Sequence, residues 1–189
     1  MKKPWFKNSE TTNNTKFWGL TLDNTLNWKI HIDLTLSKLN KAFYTIKTLK
    51  HTLMQASLIM IYFAYLHSLL NYGIIFWGKS RCSNKIFVLQ KKFLRTITSL
   101  GNWDSCCKVF KALNILTLTS QYIYSVSCFV ISNRDEFAFL EMHRIFTRQV
   151  TNFCWPMPKS TLYQIGITNM DIKIYNELHL TLVKHLKLF

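Results

Sequence analysis

The sequence predicts a mainly α-helical protein, a helical bundle of about five to six helices with a short β-hairpin or strand near the N-terminus. Three observations predict this class. Apolar residues make up 49% of the 189 residues, and over long stretches they recur at steps of three and four, the spacing of one helix face. The chain has only five Gly and three Pro, too few for a loop-rich β-sandwich. Apolar and polar residues alternate only in one short run, as expected for a single small β element.

Four regions follow one another along the chain. Residues 1–15 are polar and without periodicity, which predicts an N-terminal tail. Residues 16–26 alternate around Gly19 and end in turn-forming residues, which predicts a short strand or hairpin. Residues 27–135 are predicted to form the helical domain. Residues 136–189 carry weaker helical signals and are predicted to be a C-terminal extension.

Two long helices are predicted first in the helical domain. The first begins near Asn27 and has one apolar stripe with steps of four and three. Its members are Ile32, Leu36, Leu39, Phe43 and Ile46. The second, roughly residues 54–71, is apolar nearly all round and is predicted to lie at the centre of the fold.

Three further helices are predicted in the second half of this domain. One begins near Ser83, a favourable N-cap residue. Its inward positions are Ile86, Leu89, Phe93 and Ile97. Shorter helices are predicted at residues 104–113, with Asp104 as cap, and at 118–132.

The charge is strongly unbalanced. There are 24 Lys and Arg against 9 Asp and Glu, a formal net charge of +15. Such a balance favours a polyanionic partner, either nucleic acid or an anionic membrane surface. On the first predicted helix the basic residues lie away from the apolar stripe, so this helix is apolar on one side and basic on others. The helix that begins near Ser83 carries four further basic residues, Lys85, Lys91, Lys92 and Arg95.

Membrane insertion is the alternative that the uncharged windows raise. No charged residue occurs between Lys50 and Lys79, or between Lys111 and Arg134, and both windows reach the length of a membrane span. Both windows contain many uncharged polar residues, however, and the clean apolar stretch at residues 58–66 is short enough for a buried helix. A two-span membrane protein is therefore the runner-up, and a membrane partner is not expected.

Catalytic and metal-binding patterns are missing from the sequence. The nine carboxylates are scattered singly except for Asp135 and Glu136, which point about 100° apart if helical, so no metal clamp is predicted. The five Cys form no C-x-x-C pair, which is typical of reduced intracellular thiols. The N-terminus has no apolar run of signal-peptide length. The sequence therefore predicts an intracellular protein with no catalytic residues and no metal site.

Phe17, Trp18 and Gly19 are followed by an alternating run that ends at Asp23. Further short motifs lie at residues 26–28, 31–32, 38–42, 62–68, 72–78, 86–92, 105–106, 113–118, 143, 147–148 and 173–176. In their order and spacing these motifs resemble the end of the palm and the helical thumb of non-LTR retrotransposon (jockey-like) reverse transcriptases, and the first of them is similar to the primer-grip hairpin of that family. The resemblance covers roughly residues 16–180, nearly the whole chain.

The resemblance implies a function in binding rather than catalysis. In that family the carboxylates that hold Mg²⁺ lie in the palm, upstream of the matched residues. The chain is thus expected to be the C-terminal part of an RNA-directed DNA polymerase, not an enzyme on its own and without a cofactor. Its expected partners are RNA template, DNA primer and the missing N-terminal polymerase portion. The sequence is thus expected to come from a truncated gene model or a decayed element. Trp18, Cys107 and His179 stand where the family usually has Leu, Arg and Pro, which supports decay.

The resemblance and the charge together indicate the binding residues. A polymerase thumb holds a duplex by its backbone, and phosphate contacts from Lys and Arg position a duplex without reading its sequence. The candidates are Phe17, Gly19, Lys38, Lys41, Lys91, Lys92, Arg95 and Arg148. Gly19 is included because a backbone approaches a primer strand closely only where no Cβ intervenes. For the basic residues an ordinary solvated face is the alternative, and for the whole chain a degenerate reading frame without a folded product.

Overall fold

The computed structural model describes residues 13–133 and 172–178. Over these residues the chain is mainly helical with a two-stranded antiparallel hairpin near the N-terminus, so the predicted fold class is confirmed. Seven α-helices and one π-helical turn lie within residues 13–133, and residues 172–178 are helical as well. Most of the predicted tail and of the predicted C-terminal extension lies outside the described residues, and the predicted region boundaries stay predictions.

The described residues belong to two compact units. The first consists of residues 13–73 and 80–109, and the second of residues 74–79, 110–133 and 172–178. The hairpin and every predicted binding residue that the structure describes belong to the first unit. The functional argument therefore concerns the first unit.

The hairpin consists of β1, Asn14–Phe17, and β2, Leu20–Asp23, paired with Phe17 opposite Leu20. Trp18 and Gly19 form its two-residue loop with φ of 47° and 77°. Positive φ at both loop positions is typical of the type I′ turn, whose twist matches that of paired strands. The alternating run predicted as a strand is therefore two strands with the turn at its middle. A Cβ added to Gly73 would lie 2.7 Å from Leu20 Cδ2, so β2 packs directly on the Gly73 backbone.

The first long helix, α1, runs over Lys29–Leu49. It begins two residues later than predicted, because the Asp23 carboxylate accepts the Asn27 N–H at 2.8 Å and holds the preceding chain in a turn. The apolar stripe predicted for this helix faces the core. Ile32, Leu39 and Ile46 are buried, and Leu36 and Phe43 are half-buried at the edges of the stripe.

The helix predicted at 54–71 is divided into three segments. These are α2, Gln55–Ile61, a π-helical turn at Tyr62–His67, and α3, Ser68–Asn71; α4, Ile74–Trp77, follows. The segment was predicted to lie at the centre of the fold because it is apolar nearly all round, but only one of its faces is buried. One stripe, Leu58, Tyr62, Leu66 and Leu70, is buried, whereas Met60, Phe63 and Tyr65 are exposed. Periodicity could not show this, because almost every residue of the stretch is apolar.

The second long helix of the first unit is α5, Ser83–Ile97. Its four predicted inward residues are all buried. Ser83 is the first helical residue rather than the N-cap, which is Cys82, and its hydroxyl donates to the Ser80 carbonyl at 2.7 Å. α5 packs against α1, where Phe43 meets Phe93 edge to face at a ring distance of 5.2 Å.

A loop and a short helix follow α5. The helix α6, Cys107–Ala112, begins three residues later than predicted. Asp104 does not cap it. The Asp104 carboxylate instead accepts the Gly101 N–H at 2.8 Å, and the Asp104 carbonyl accepts two hydrogen bonds from Arg95. The carboxylate therefore stabilises the loop between α5 and α6.

In the second unit, α4 packs against α7, Leu118–Ser132, which agrees with the helix predicted at 118–132. The Thr117 hydroxyl caps α7 by accepting the Ser120 N–H at 3.2 Å. Gly78 ends α4 at a point where an added Cβ would lie 2.6 Å from both the Ile74 carbonyl oxygen and Tyr122 Cδ2. Only glycine allows the two helices to approach so closely.

The two uncharged windows that raised the membrane alternative lie almost wholly within residues 13–133. In that part of the chain, no helix has both the length and the apolar character that crossing a membrane requires. The two predicted spans of the alternative interpretation are therefore not found among the described helices.

Candidate nucleic-acid interface

The predicted binding residues occupy three places in the first unit. Phe17 and Gly19 lie at the end of the hairpin, Lys38 and Lys41 on α1, and the other three, Lys91, Lys92 and Arg95, in the C-terminal half of α5. Arg148 lies outside the described residues, so its predicted role stays a prediction. The structure therefore brings some of the candidates together and separates others.

Lys38 and Lys41 lie on the side of α1 opposite its buried stripe. Both side chains are exposed, and three residues apart they are neighbours on the helix surface. Lys41 lines a shallow groove along the helix with Asn40 and Tyr44. We call these two lysines the outer face of α1. Both are exposed to solvent.

His31 links the start of α1 to the hairpin beside this face. Its Nδ1 accepts the Thr21 N–H at 3.4 Å. Burial, and secondarily the charge of Lys38, lower the pKa of His31 below its usual value. At neutral pH the ring is therefore uncharged, as its role as a hydrogen-bond acceptor requires, and it adds no charge of its own to the outer face of α1.

On α5, Lys92 and Arg95 line one pocket, whereas Lys91 is not among the residues that line it. Consecutive helical residues point about 100° apart. Lys91 Nζ lies 4.5 Å from the centre of the Phe87 ring, a cation–π contact on one flank of the helix. Arg95 donates from Nε and Nη2 to the Asp104 carbonyl at 3.1 and 3.0 Å, which fixes its guanidinium.

Lys92 and Arg95 line a concave pocket together with residues that sequence reasoning missed. The additional basic residues are Lys47, Lys50 and His51, at the C-terminal end of α1. We call this set of five residues the basic pocket. A signal was present in the sequence, because Phe43, Lys47 and Lys50 follow the i, i+4, i+7 spacing of one helix side. That spacing did not show that α5 brings its own cations to the same side.

The hairpin tip exposes two aromatic side chains. Phe17 and Trp18 are 61% and 82% exposed and stack with a ring distance of 5.9 Å and an interplanar angle of 24°. Trp18 was not among the predicted binding residues, although it is the most exposed aromatic residue of the tip. The tip is held in place from behind, where the Tyr72 hydroxyl donates to the Trp18 carbonyl.

Gly19 has a structural explanation that needs no ligand. Its φ of 77° belongs to the left-handed region that favours glycine. A Cβ added there would lie 3.2 Å from the Tyr72 hydroxyl oxygen. The positive φ and the close packing on Tyr72 therefore both favour a glycine, and contact with a primer strand stays a prediction.

The carboxylates of the first unit's described residues each have a structural partner. Asp33 pairs with Lys85 at 3.3 Å, while Asp23 and Asp104 accept the backbone N–H groups given above. Within residues 13–133 and 172–178, no three His, Cys, Asp or Glu side chains lie close enough to hold a metal ion. The candidate site of the first unit therefore consists of basic and aromatic side chains.

Comparisons with known proteins give no family assignment. The chain matches no protein-family model, no curated protein and no solved structure. A functional proposal for the chain therefore depends on its motifs and on the geometry of the first unit.

Proposed function

We propose that this chain binds template–primer nucleic acid through the phosphate backbone, without reading base sequence, as the primer-grip and thumb portion of a non-LTR retrotransposon reverse transcriptase. The motifs quoted above support the family, since they occur in a consistent order over roughly residues 16–180. In that family the carboxylates and their Mg²⁺ lie upstream of the matched residues. The role proposed for the matched residues is accordingly to hold a substrate.

The observation that carries the proposal is the concentration of cationic side chains on α1 and α5 of one unit. Lys38, Lys41 and Lys92 are exposed, and Arg95 is held in a fixed orientation by a backbone carbonyl. The nearest carboxylate that lines the groove of α1, Asp33, is already paired with Lys85. Phosphate oxygens would supply the anionic partners that the described acidic residues do not.

The hairpin tip adds a second kind of contact. Base–aromatic stacking is worth about 1–3 kcal/mol per base and tolerates any sequence, because every base has a flat π face. Phe17 and Trp18 form a stacked, exposed pair that suits such a contact at a strand end. Backbone contacts along the helices and stacking at the tip are both independent of sequence.

The salt dependence of binding tests the proposal directly. Each neutralised phosphate contributes about −0.9 to the slope of log affinity against log salt for duplex DNA. If the five described cations, Lys38, Lys41, Lys91, Lys92 and Arg95, each neutralise one phosphate, affinity should fall several hundred-fold, roughly 500-fold, between 50 and 200 mM salt. Fluorescence anisotropy with two duplexes of unrelated sequence measures both the slope and the sequence independence. A flat salt response, or a large preference for one sequence, would contradict the proposal.

A pair of charge-matched variants locates the interface. Lys38→Gln with Lys41→Gln removes two contacts, so the loss of affinity over the same salt range should shrink to about 40-fold. The control, Lys29→Gln with Lys108→Gln, removes the same net charge elsewhere, Lys29 lying in an indentation shared with Asp23 and Asp33. The control should keep the original slope. Equal changes in both variants would mean that net charge, and not this interface, determines binding.

A further inference from the structure

We infer that the basic pocket binds a nucleotide phosphate monoester, either at the end of a polynucleotide strand or on a free mononucleotide. The inference rests on the proposed function and deepens it, because it names the chemical group that enters this concave site. Internal phosphates, by contrast, are assigned to the outer face of α1, where Lys38 and Lys41 are both exposed.

The shape of the pocket favours a compact projecting group. It is a concavity between the C-terminal halves of α1 and α5 with a cavity volume of about 510 Å³. Pockets of roughly 300–1,000 Å³ accommodate small molecules and cofactors. A phosphodiester inside a strand continues in both directions and suits a groove, whereas a terminal phosphate enters a concavity end-on.

The charge of the pocket favours a dianion. Four of the residues that line it are Lys or Arg, namely Lys47, Lys50, Lys92 and Arg95, and of the described residues no carboxylate lines the pocket. A basic residue in a helix's last turn is common, since it offsets a partial charge of about −0.5 there. The partial charges at the C-termini of α1 and α5, about −1 together, offset about one of these four positive charges. A phosphate monoester carries about −1.5 to −2 at pH 7 and therefore offsets more of the remainder than a diester with a single charge.

Two features fix the positions of groups that line the pocket. Arg95 is held by its two hydrogen bonds to the Asp104 carbonyl, so its remaining N–H groups are available in a fixed direction. α5 ends in a left-handed turn at Ser99, with φ of 57°, and the Leu100 N–H donates to the Arg95 carbonyl at 3.0 Å. This turn brings Leu100 to the lining of the pocket.

The pocket also has an apolar part. Phe43 and Leu100 line it beside the cations, and Phe43 is braced edge to face by Phe93. A flat aromatic ring and an aliphatic side chain offer a surface for a nucleobase or a sugar next to the phosphate. The pocket therefore matches a nucleotide better than it matches inorganic phosphate, which has no group for the apolar part.

Competition binding with defined strand ends tests the inference. The probe is a fluorescent single-stranded oligonucleotide with a 5′-phosphate, and the competitors are the same strand with a 5′-hydroxyl, dAMP, deoxyadenosine and inorganic phosphate. Charge-assisted hydrogen bonds of about 1.5–3 kcal/mol predict at least about a tenfold preference for the phosphorylated end. If dAMP competes as well as the phosphorylated strand, the source is a free nucleotide; if it competes much less well, the source is a strand end. Deoxyadenosine should compete weakly, and inorganic phosphate less well than dAMP.

Matched variants of α1 separate the pocket from the outer face. Lys47→Gln with Lys50→Gln should abolish the preference for the phosphorylated end while leaving substantial binding of the hydroxyl strand. Lys38→Gln with Lys41→Gln, which removes the same charge from the same helix, should weaken both strands and keep their ratio. Far-UV circular dichroism of each variant checks that the helices are intact.

The outcomes distinguish the two proposals. Equal affinity for the two strand ends in the unmodified protein, together with strong salt-dependent binding, would overturn the pocket assignment and leave the proposed function standing. An equal loss of preference in both double variants would also overturn it. Failure of every polynucleotide to bind, with dAMP still bound and sensitive to the Lys47 and Lys50 changes, would overturn the proposed function and support the pocket for a free nucleotide.

Discussion

Tyr62 should make the first unit sensitive to alkaline pH. Its side chain is fully buried, and its hydroxyl accepts a hydrogen bond from Gln90 Nε2 at 3.0 Å, with Gln90 only 2% exposed. Burial raises the pKa of Tyr62 to about 12, and the hydrogen bond from Gln90 acts more weakly in the opposite direction. In the unfolded chain the phenol has its ordinary pKa of about 10. The unfolded state therefore loses this proton first as the pH rises.

The size of the effect follows from the difference between the two pKa values. Below about pH 10 both states keep the proton, and the folded state retains its full stability. Between about pH 10 and 12 ionisation favours the unfolded chain, at about 1.36 kcal/mol per unit of pKa difference. The total loss is about 2.7 kcal/mol, and about half of it, 1.4 kcal/mol, is reached at pH 11.

Tyr62→Phe isolates this contribution, because every other titrating group is shared by the two proteins. At pH 8 the variant should be less stable by about 1 kcal/mol, since it loses the hydrogen bond from Gln90. At pH 11 the unmodified protein loses about 1.4 kcal/mol that the variant keeps, so the order of stability should become equal or slightly reversed. Urea unfolding followed by circular dichroism at pH 8, 10 and 11 measures the difference directly.

Two results would refute this reasoning. A stability difference that stays constant from pH 8 to pH 11 would mean that Tyr62 ionises near pH 10 in the folded protein, as an exposed phenol does. Spectrophotometric titration provides the second check, because the folded unmodified protein should contain one tyrosine that ionises about two units later than a free phenol. If the titration curves of the unmodified protein and of Tyr62→Phe differ near pH 10 instead, Tyr62 is not buried as described.

Two further predictions concern the turn and cap positions. Gly73→Ala places a methyl group 2.7 Å from Leu20 Cδ2 at a φ of +62°, so we expect a loss of about 2 to 4 kcal/mol in urea unfolding; a loss below about 0.5 kcal/mol would show that the hairpin does not pack there. Thr117→Ala removes the acceptor for the Ser120 N–H and should cost about 1 kcal/mol, whereas Thr117→Ser should restore most of it. Equal losses in the two Thr117 variants would contradict the assigned cap.

The parts of the fold that local patterns determine were predicted well. The inward residues of α1 and α5 follow from apolar spacing, because a helix with one apolar face has one way to bury it. Ile32, Leu39, Phe93 and Ile97 are buried as that rule requires. The helix predicted at residues 118–132 is confirmed as α7, and the Thr117 cap at its start was not predicted.

Other features depend on information that no local pattern carries. The segment around Tyr62 is apolar at nearly every position, so its spacing could not show which residues face the core. The turn at Trp18 and Gly19 lacks the Asn-Gly or Asp-Gly pair that usually marks a type I′ hairpin. The basic pocket needs both helices. The spacing of Lys47 and Lys50 places them on one side of α1, but only the packing of α5 adds Lys92 and Arg95 to that side.

The π-helical turn has a consequence for how many residues this part of the chain can contain. Leu58, Tyr62, Leu66 and Leu70 are four residues apart, and in an uninterrupted α-helix each such step would advance their direction by about 40°. The wider turn at Tyr62–His67 holds more residues and corrects this helical phase, so the four side chains stay aligned. Deleting one residue there and restoring the ordinary pitch would place Leu58, Leu66 and Leu70 at i, i+7 and i+11, each within about 20° of one face. The wider turn therefore accommodates one residue more than an α-helix needs while the same side chains face the core.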